Sequence, residues 1–256
     1  MDVLRKELNE VYQRQCLDTE DLDKRIVDAS LRNVETMSRI CNTCAVITDI
    51  AHNCSWLFPS LLGDRLGIHC DEPWHELNSS DEDIIYKLMH PEDLVSKRML
   101  EHRFFLEVEN LTPQSISEMK AACRIRISDP DGNYIPVDNT TQILHPSPSG
   151  KMWLILCTYR FAEVNEPFHD INARIINERT GDITPYSFNE QRMSILTDRE
   201  KEVLTLIREG LLSKEIAERL CISVNTVSRH RQNILEKLCV DNSMEAVNAA
   251  IAAKLL

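Results

Sequence analysis

The stretch SKEIAERLCISVNTVSRHRQNILEKL, residues 213–238, decides the fold of the C-terminal part of this 256-residue chain. Its apolar residues recur at helical spacing in two runs, which are separated by Cys221-Ile222-Ser223. That pattern predicts two helices joined by a tight turn. In the second helix, Val227, Ile234 and Leu238 form an apolar stripe, so basic and amide side chains occupy the outer face.

Signals on either side extend this helix pair. Thr197 and Glu200 have the spacing of a capping box and predict the start of an earlier helix. Gly210 predicts its left-handed end. Ser213 and Ser223 are the predicted caps of the next two helices. A fourth helix is predicted from about Ser243 to Leu255, so the segment as a whole is expected to be a four-helix module.

The outer face of the third predicted helix carries Asn225, Ser228, Arg229 and Gln232. Arg and Gln side chains make bidentate contacts with the edges of guanine and adenine, respectively. Arg231 falls near the apolar stripe, so we expect its stem to be covered and its guanidinium to reach a phosphate. These residue types predict a helix that enters the DNA major groove.

Residues 196–256 resemble the LuxR-type (GerE-like) DNA-binding domain along their whole length. The matching residues are Leu196, Thr197, Arg199, Glu200, Glu202, Val203, Leu204, Gly210, Lys214, Glu215, Ile216, Ala217, Leu220, Ile222, Ser223, Thr226, Val227, His230, Asn233, Ile234, Lys237, Leu238 and Val240. The resemblance implies four helices with the third in the major groove, and usually a dimer on double-stranded DNA.

Carried over by position, the resemblance implies that Lys214, Thr226 and Arg231 contact the DNA backbone. It implies that Ser228, Arg229 and Gln232 face the bases. One departure stands out, because many members have Lys where this chain has Ser228. We therefore expect Arg229 to carry most of the base reading.

A net charge of −12, taken over the whole chain, opposes binding to a polyanion. Its distribution removes the conflict, because residues 194–256 contain nine basic and nine acidic residues and the excess lies earlier. No run of about 18 apolar residues predicts a membrane span. The N-terminus lacks a secretion signal, so we expect a cytoplasmic protein whose nine cysteines are reduced.

Residues 1–40 are predicted to form a helical segment for packing or dimerisation. From residue 41 to 165 the pattern gives two strands, several short helices and a three-strand meander, with the turn Asp129-Pro130-Asp131-Gly132-Asn133 inside the meander. That order resembles a PAS-type sensor domain, which implies a sheet whose concave face holds a small molecule or a protein partner. Residues 166–193 are predicted to be a linker that can contain an extra strand or hairpin.

Cys41, Cys44, His52 and Cys54 are the only cluster that suggests a metal or redox site. The pattern lacks a second Cys-x-x-Cys pair, and cysteine is a common small core residue. We therefore expect no metal and no cofactor. A metal- or redox-responsive regulator that uses Cys41, Cys44 and Cys54 stays open as an alternative.

Three other functions are less compatible with the sequence. Asp49 at a strand end is expected to be a turn residue rather than the phosphoacceptor of a receiver domain. Trp56, Trp74 and Trp153 lack the spacing of an acyl-homoserine-lactone sensor and are expected to be core or rim aromatics. No nucleophile elbow, phosphate-binding glycine loop or paired-carboxylate motif predicts an enzyme.

The predicted fold is therefore two domains: an α+β PAS-like sensor domain, followed by an all-α four-helix LuxR-type helix-turn-helix domain in residues 194–256. The predicted function is a DNA-binding transcription regulator that acts as a homodimer and is controlled by its sensor domain. A second alternative is a protein-interaction module of a signalling complex. The signal, the operator sequence and the sign of regulation are not readable from the sequence.

Overall fold

The structure, a computed structural model, describes residues 3–70, 72–80, 82–162, 170–188, 196–238, 240, 242–252 and 255–256. The chain divides into two compact units, Asn9–Tyr186 and Met1–Leu8 with Ser187–Leu256. The predicted linker, residues 166–193, falls partly on residues 163–169 and 189–195, which lie outside the described residues. None of the described helices is both long enough and apolar enough to cross a membrane.

The N-terminal unit is an α/β domain built on one antiparallel sheet. Its helices and strands are, in chain order, α1 (Val3–Arg14, whose first residues fall in the other unit), α2 (Lys24–Cys41), β1 (Cys44–Asp49), β2 (Cys54–Phe58), α3 (Ser60–Arg65), β3 (His75–Leu77), α4 (Asp83–Tyr86), α5 (Pro91–Val108), α6 (Pro113–Ile116), β4 (Met119–Ser128), β5 (Tyr134–Pro146), β6 (Met152–Phe161), β7 (Arg174–Asn177) and β8 (Ile183–Pro185). The strand order in the sheet is β3-β2-β1-β6-β5-β4-β7-β8.

The predicted strands and turns of this domain are present. β1 and β2 pair as an antiparallel hairpin, with Asp49 opposite Cys54. β4, β5 and β6 form the expected meander. Gly132, at φ +83°, lies in the predicted turn between β4 and β5. His90 caps α5 by accepting the backbone N–H of Glu92 on its ring nitrogen, 3.3 Å away, with Pro91 in the first turn.

The segment predicted as a linker contributes to the sheet. β7 pairs with β4 and β8 pairs with β7, so residues 174–185 extend the sheet by a hairpin. Gly181, at φ +78°, lies in the turn of this hairpin. The edge strand β8 includes Pro185, which has no N–H to offer a further strand. The sensor-side fold is therefore longer than the boundary at residue 165 predicts.

The two faces of the sheet are covered differently. α2 packs on the outer face over β1, β2 and β6, where Val27, Leu31 and Val34 meet Ile47 and Trp56. The inner face carries alternate buried residues of the same strands, and α5 lies against β4. This arrangement buries α5 on most sides: even its charged residues Asp93, Lys97, Arg98 and Glu101 are buried.

The C-terminal unit contains four described helices: α7 (Asp198–Arg208), α8 (Ser213–Leu220), α9 (Val224–Leu238) and α10 (Ser243–Ala252). Their shared core is apolar and includes Leu196, Val203, Leu204, Leu206, Ile216, Ala217, Val227, Ile234, Leu238, Ala246, Val247, Ala249, Ala250 and Leu255. The apolar stripes predicted from the sequence meet in this core.

Candidate nucleic-acid interface and the buried ion cluster

The start of α7 is fixed by the predicted capping box. The Thr197 hydroxyl accepts the backbone N–H of Glu200 at 3.2 Å, and the Glu200 carboxylate accepts the backbone N–H of Thr197 at 2.8 Å. Lys237 of α9 donates to the same carboxylate at 2.6 Å. Burial opposes ionisation of Glu200, but the hydrogen bonds from Lys237 and Thr197 outweigh it and lower the pKa of its carboxyl group. Lys237 therefore ties α9 to α7.

The turn between α8 and α9 positions the third helix. α8 ends at Cys221, whose φ of +53° reverses the chain. The Ser223 hydroxyl accepts the backbone N–H of Thr226 at 3.0 Å, which confirms the predicted cap of α9. Arg199 donates to the carbonyl of Leu220 at 2.7 Å and satisfies the end of α8. Hydrogen bonds therefore fix both the end of α8 and the start of α9 at this turn.

The predicted cap of α8 is wrong. Leu212, not Ser213, is the residue before the first helical turn, and its backbone N–H donates to the Glu215 carboxylate at 2.6 Å. Ser213 is the first residue of the helix, and its hydroxyl accepts a hydrogen bond from Arg231 at 2.7 Å. The negative charge of Glu215 is favourable at the start of a helix. The Ser213 hydroxyl is therefore available to accept the hydrogen bond from Arg231 of α9.

The outer face of α9 presents the side chains predicted to read DNA. Asn225, Ser228, Arg229 and Gln232 are exposed, and Thr226 is half-buried. Gln232 donates to Glu236 one turn further on, 3.2 Å away. The apolar stripe on the opposite side of α9 is buried in the core. Among the described residues, the outer face is therefore the exposed face of this helix.

Arg231 lies between these two faces. Its guanidinium donates to the Ser213 hydroxyl at 2.7 Å and to the Ser243 hydroxyl at 3.2 Å, so it joins α9 to the first turns of α8 and α10. The side chain is half-buried, as its position near the apolar stripe predicts. Lys214, next to Ser213, is exposed at the start of α8. Lys214 and Arg229 are therefore exposed basic groups of this helix pair, as is Arg219 near the end of α8.

The predicted metal candidates do not come together. Cys44 begins β1 and Cys54 begins β2, and the antiparallel register puts Cys54 opposite Asp49 at the other end of β1. Five residues of strand separate the two ends, about 16 Å. Cys41 is exposed at the end of α2. His52 and Cys54 line one cavity, and among the described residues the four candidates do not form a group of three that could share a metal ion.

The cysteines are also poorly suited to redox chemistry. Burial raises the pKa of the Cys44 thiol, with a smaller contribution from the charge of Glu82. Burial, followed by the charges of Asp49 and Glu76, raises the pKa of Cys54 to about 11. Reactive cysteines need a lowered pKa because the thiolate is the nucleophile. These two remain neutral thiols.

Among the described residues, the one group of side chains whose oxygen and nitrogen atoms are close enough to share a metal ion is His90, Glu92 and Asp93. Arg126 already occupies it: its guanidinium is 2.7 Å from Asp93 Oδ1 and 3.1 Å from Glu92 Oε2. The same Asp93 carboxylate accepts the backbone N–H of Arg126 at 2.7 Å. This cluster fastens the start of α5 to β4.

A second polar cluster, which was not predicted from the sequence, lies between α4, α5 and the inner face of the sheet. The Lys97 ammonium is fully buried and pairs with Glu101 one turn along α5. It also donates to the Tyr86 hydroxyl at 3.1 Å. Tyr86 and Thr141 donate to the Glu101 carboxylate at 3.2 and 3.4 Å. We call this set, with Glu82 and Tyr159, the buried ion cluster.

Glu82 is the second carboxylate of the buried ion cluster. It precedes α4, is almost completely buried, and accepts a hydrogen bond from the Tyr159 hydroxyl. Burial raises the pKa of Glu82, although the charge of Lys97 opposes that shift. For Lys97, burial alone would lower the pKa, but the carboxylates of Glu101 and Glu82 outweigh it and raise the pKa. The positive charge of the buried Lys97 ammonium therefore compensates two buried carboxylates, those of Glu101 and Glu82.

The three tryptophans have the structural roles that the sequence predicts. Trp56 and Trp153 are buried in the core beneath α2. Trp74 is half-buried, with its ring centroid 5.6 Å from that of Phe58. Asp49 is buried at the end of β1 and accepts the indole N–H of Trp153 at 3.2 Å. A carboxylate held in this way is a structural turn residue, as predicted.

Comparison with known proteins identifies the C-terminal helices. Residues 194–250 match the family model GerE, described as bacterial regulatory proteins, luxR family. Oxygen regulatory protein NreC of Staphylococcus epidermidis is 29% identical over 177 residues, which cover 62% of this chain and 81% of that protein. The CsgBAC operon transcriptional regulatory protein of Escherichia coli is 43% identical over 65 residues, which cover 25% of this chain and 30% of that protein.

The similarity of this chain to solved structures is weaker than its similarity to these sequence relatives. The Vibrio cholerae VqmA dimer in the absence of target DNA aligns over 88% of both chains with 14% identity and a TM-score of 0.33. The sequence relatives are regulators rather than enzymes, in agreement with the expectation from the motifs.

Proposed function

We propose that this chain, whose C-terminal domain is a luxR-family helix-turn-helix domain, is a transcription regulator that reads double-stranded DNA with α9 and is controlled by its N-terminal domain. The observation that carries the proposal is the outer face of α9. Asn225, Ser228, Arg229 and Gln232 are exposed there, while the opposite side is locked into the core. A helix of this kind fits the major groove and presents bidentate donors to base edges.

The basic side chains divide into two roles in this proposal. Arg229 faces the bases, while Lys214 at the start of α8 faces a phosphate. Thr226 and Arg231 support the backbone contact, with Arg231 held near the groove by Ser213 and Ser243. Because Lys237 is committed to Glu200, one domain offers few free cations. Affinity therefore requires two copies.

A homodimer is supported by the outer surface of α10. Met244 and Ile251 are 69% and 48% exposed and lie two turns apart on this helix. Seven residues correspond to nearly two full turns, so both side chains lie on one face. Pairing of this face with a second copy would bring two recognition helices to successive half-sites about 34 Å apart.

We assign the N-terminal domain to the PAS type on its order of elements: two strands, four helices interrupted by a short strand, then a three-strand meander. β3, β7 and β8 extend that pattern. The described inner face is filled by side chains, including the buried ion cluster. A ligand or protein partner that acts there must rearrange these charges. It regulates only if it binds one arrangement better than the other.

The test of DNA binding starts with a duplex selected by the full-length protein from random sequence. Lys214→Ala should weaken binding to the selected and to a scrambled duplex by the same factor. It should also reduce the slope of log K against log salt by about one phosphate contact per protomer. Fluorescence anisotropy at four salt concentrations measures both quantities. Arg208→Ala removes the same charge from an exposed site on α7 and should leave the slope unchanged. An unchanged slope for Lys214→Ala would exclude its phosphate contact.

The dimer contact gives a separate prediction. Met244→Asp with Ile251→Asp should abolish the extra affinity for a duplex with two half-sites over one with a single half-site, because buried carboxylates oppose pairing of the α10 faces. Anisotropy on the two duplexes gives the ratio. Ile183→Asp, at an equally exposed isoleucine on the edge strand β8, is the control. If the double variant keeps the wild-type ratio, α10 is not the dimer contact.

A further inference from the structure

A cavity of about 290 Å³ lies on the outer face of the sheet, beside the start of α2. Its walls are largely apolar: Leu22 and Val27 line it from the α2 side, and Trp56 and Trp153 from β2 and β6. The volume is near the lower end of the range of small-molecule pockets, about 300–1,000 Å³. Two indole rings favour a flat aromatic guest, because offset and edge-to-face ring contacts add to burial.

The polar end of the cavity is built on Asp49. Its Oδ1 atom accepts the backbone N–H of Ala51 at 3.0 Å, that of His52 at 3.3 Å, and the indole N–H of Trp153 at 3.2 Å. Its Oδ2 atom lies 2.8 Å from Nδ1 of His52. The buried carboxylate is therefore satisfied by protein donors, and it fixes the imidazole of His52 at the cavity.

Two groups at the cavity are still available to a guest. Nε2 of His52 and the ammonium of Lys24 have no hydrogen-bond partner among the described residues. Lys24 is also the first residue of α2, an 18-residue helix whose start carries partial positive charge. The carboxylate of the helix cap Asp23 accepts the backbone N–H of Arg25 at 2.9 Å and pairs with the Arg25 guanidinium, so Lys24 is the cation that this helix start offers to the cavity. The two polar groups that remain available at the cavity, Lys24 and His52, are therefore both basic.

Cys54 contributes no opposing charge at the cavity wall. Burial, with help from the charges of Asp49 and Glu76, raises the pKa of its thiol to about 11, so the thiol is neutral at physiological pH. Of these two acids, Asp49 lines the cavity and Glu76 on β3 does not. An anion at the Lys24 end therefore meets the Lys24 ammonium, the imidazole of His52 and a carboxylate, Asp49, whose oxygens are already hydrogen-bonded.

We propose that this cavity binds a small aromatic carboxylic acid, with the ring between the indoles and Val27 and the carboxylate at Lys24 and His52. The site lies on the outer face of the sheet, apart from the buried ion cluster on the inner face. All of its lining residues belong to the N-terminal domain.

The experiment is calorimetric titration of the full-length protein with 1-naphthoate at pH 7. The matched probe is 1-naphthalenemethanol, which has the same ring system without the charge. The variants are Lys24→Met, which removes the proposed cation, and Arg32→Met, which removes an equal charge from an exposed site further along α2. Neither residue is buried, so both variants are expected to fold.

The site predicts that naphthoate binds more tightly than the alcohol, because only the carboxylate can pair with the Lys24 ammonium. Lys24→Met should weaken naphthoate binding roughly fivefold, the effect of one ion pair at a partly exposed site, and Arg32→Met should have no effect. Absence of binding heat at millimolar naphthoate would overturn the proposal. Equal affinity for acid and alcohol, or equal loss in both variants, would also overturn it.

Discussion

Lys97→Met is expected to destabilise the N-terminal domain by about 3–5 kcal/mol, because it leaves the buried carboxylates Glu101 and Glu82 without their shared ammonium. Methionine fills nearly the same volume, so the loss is electrostatic rather than a packing defect. Urea unfolding followed by tryptophan fluorescence isolates this domain, since all three tryptophans of the chain lie in it. Lys87→Met, at an exposed lysine after α4, is the control and should change stability little.

The defect should also depend on pH in a defined direction. The pKa of Glu82 is already raised by burial, and removal of Lys97 takes away the charge that opposed this shift. A carboxyl group whose folded-state pKa lies above its unfolded value of about 4.3 contributes stability at low pH that is lost as pH rises. The destabilisation should therefore be larger at pH 8 than at pH 5.

A second replacement separates charge from structure. Adding Glu101→Gln to Lys97→Met keeps acceptors for Tyr86 and Thr141 but removes one uncompensated charge. It should recover part of the lost stability, since replacing both partners of a buried pair costs less than removing one. Stability of Lys97→Met within about 0.5 kcal/mol of the wild type at pH 8 would show that the buried ion cluster is not charged.

Arg229→Ala is the variant with the largest expected effect on DNA recognition. A bidentate contact with guanine contributes about 1–3 kcal/mol of discrimination, so affinity for the selected duplex should fall by roughly tenfold or more. Binding to scrambled DNA should fall far less, because only one cation is lost. The measured quantity is the ratio of the two dissociation constants. Arg208→Ala should preserve that ratio.

The stability of the two variants must be compared before the ratio is interpreted. Arg229 is exposed and has no part in the core of the C-terminal domain, so Arg229→Ala should unfold at the same temperature as the wild type. Equal losses on selected and scrambled duplexes would mean that Arg229 contacts the backbone, and base reading would then have to come from Gln232 and Asn225.

Local signals predicted most of the secondary structure. The capping box at Thr197, the proline after His90 and the Asp-Gly turn each act through the few residues around them, and each is present in the structure. The cap of α8 was mispredicted because two acceptors compete there. The carboxylate of Glu215 accepts the backbone N–H of Leu212. The Ser213 hydroxyl instead accepts a hydrogen bond from Arg231, 18 residues further along the chain.

The buried ion cluster could not be predicted from local sequence. Lys97 and Glu101 have the i, i+4 spacing that usually marks a solvated helix face. They are buried only because α5 is covered by the sheet and by α4. The other members come from two distant parts of the chain, Glu82 and Tyr86 from α4 and its cap and Tyr159 from β6. The cavity on the outer face of the sheet could not be predicted from local sequence either, because its walls come from α2, β2 and β6. The hairpin register that separates Cys44 from Cys54 likewise depends on pairing rather than on spacing.

The most direct test of DNA reading by α9 is selection of duplexes from random sequence by the full-length protein, repeated with Arg229→Ala. The wild type should enrich an inverted repeat whose half-sites lie about 34 Å apart, one helical turn of DNA. The variant should lose preference at one position in each half-site. Failure of the wild type to enrich any sequence, or an identical enriched motif from the variant, would contradict the assignment of α9 and Arg229 as the reading elements.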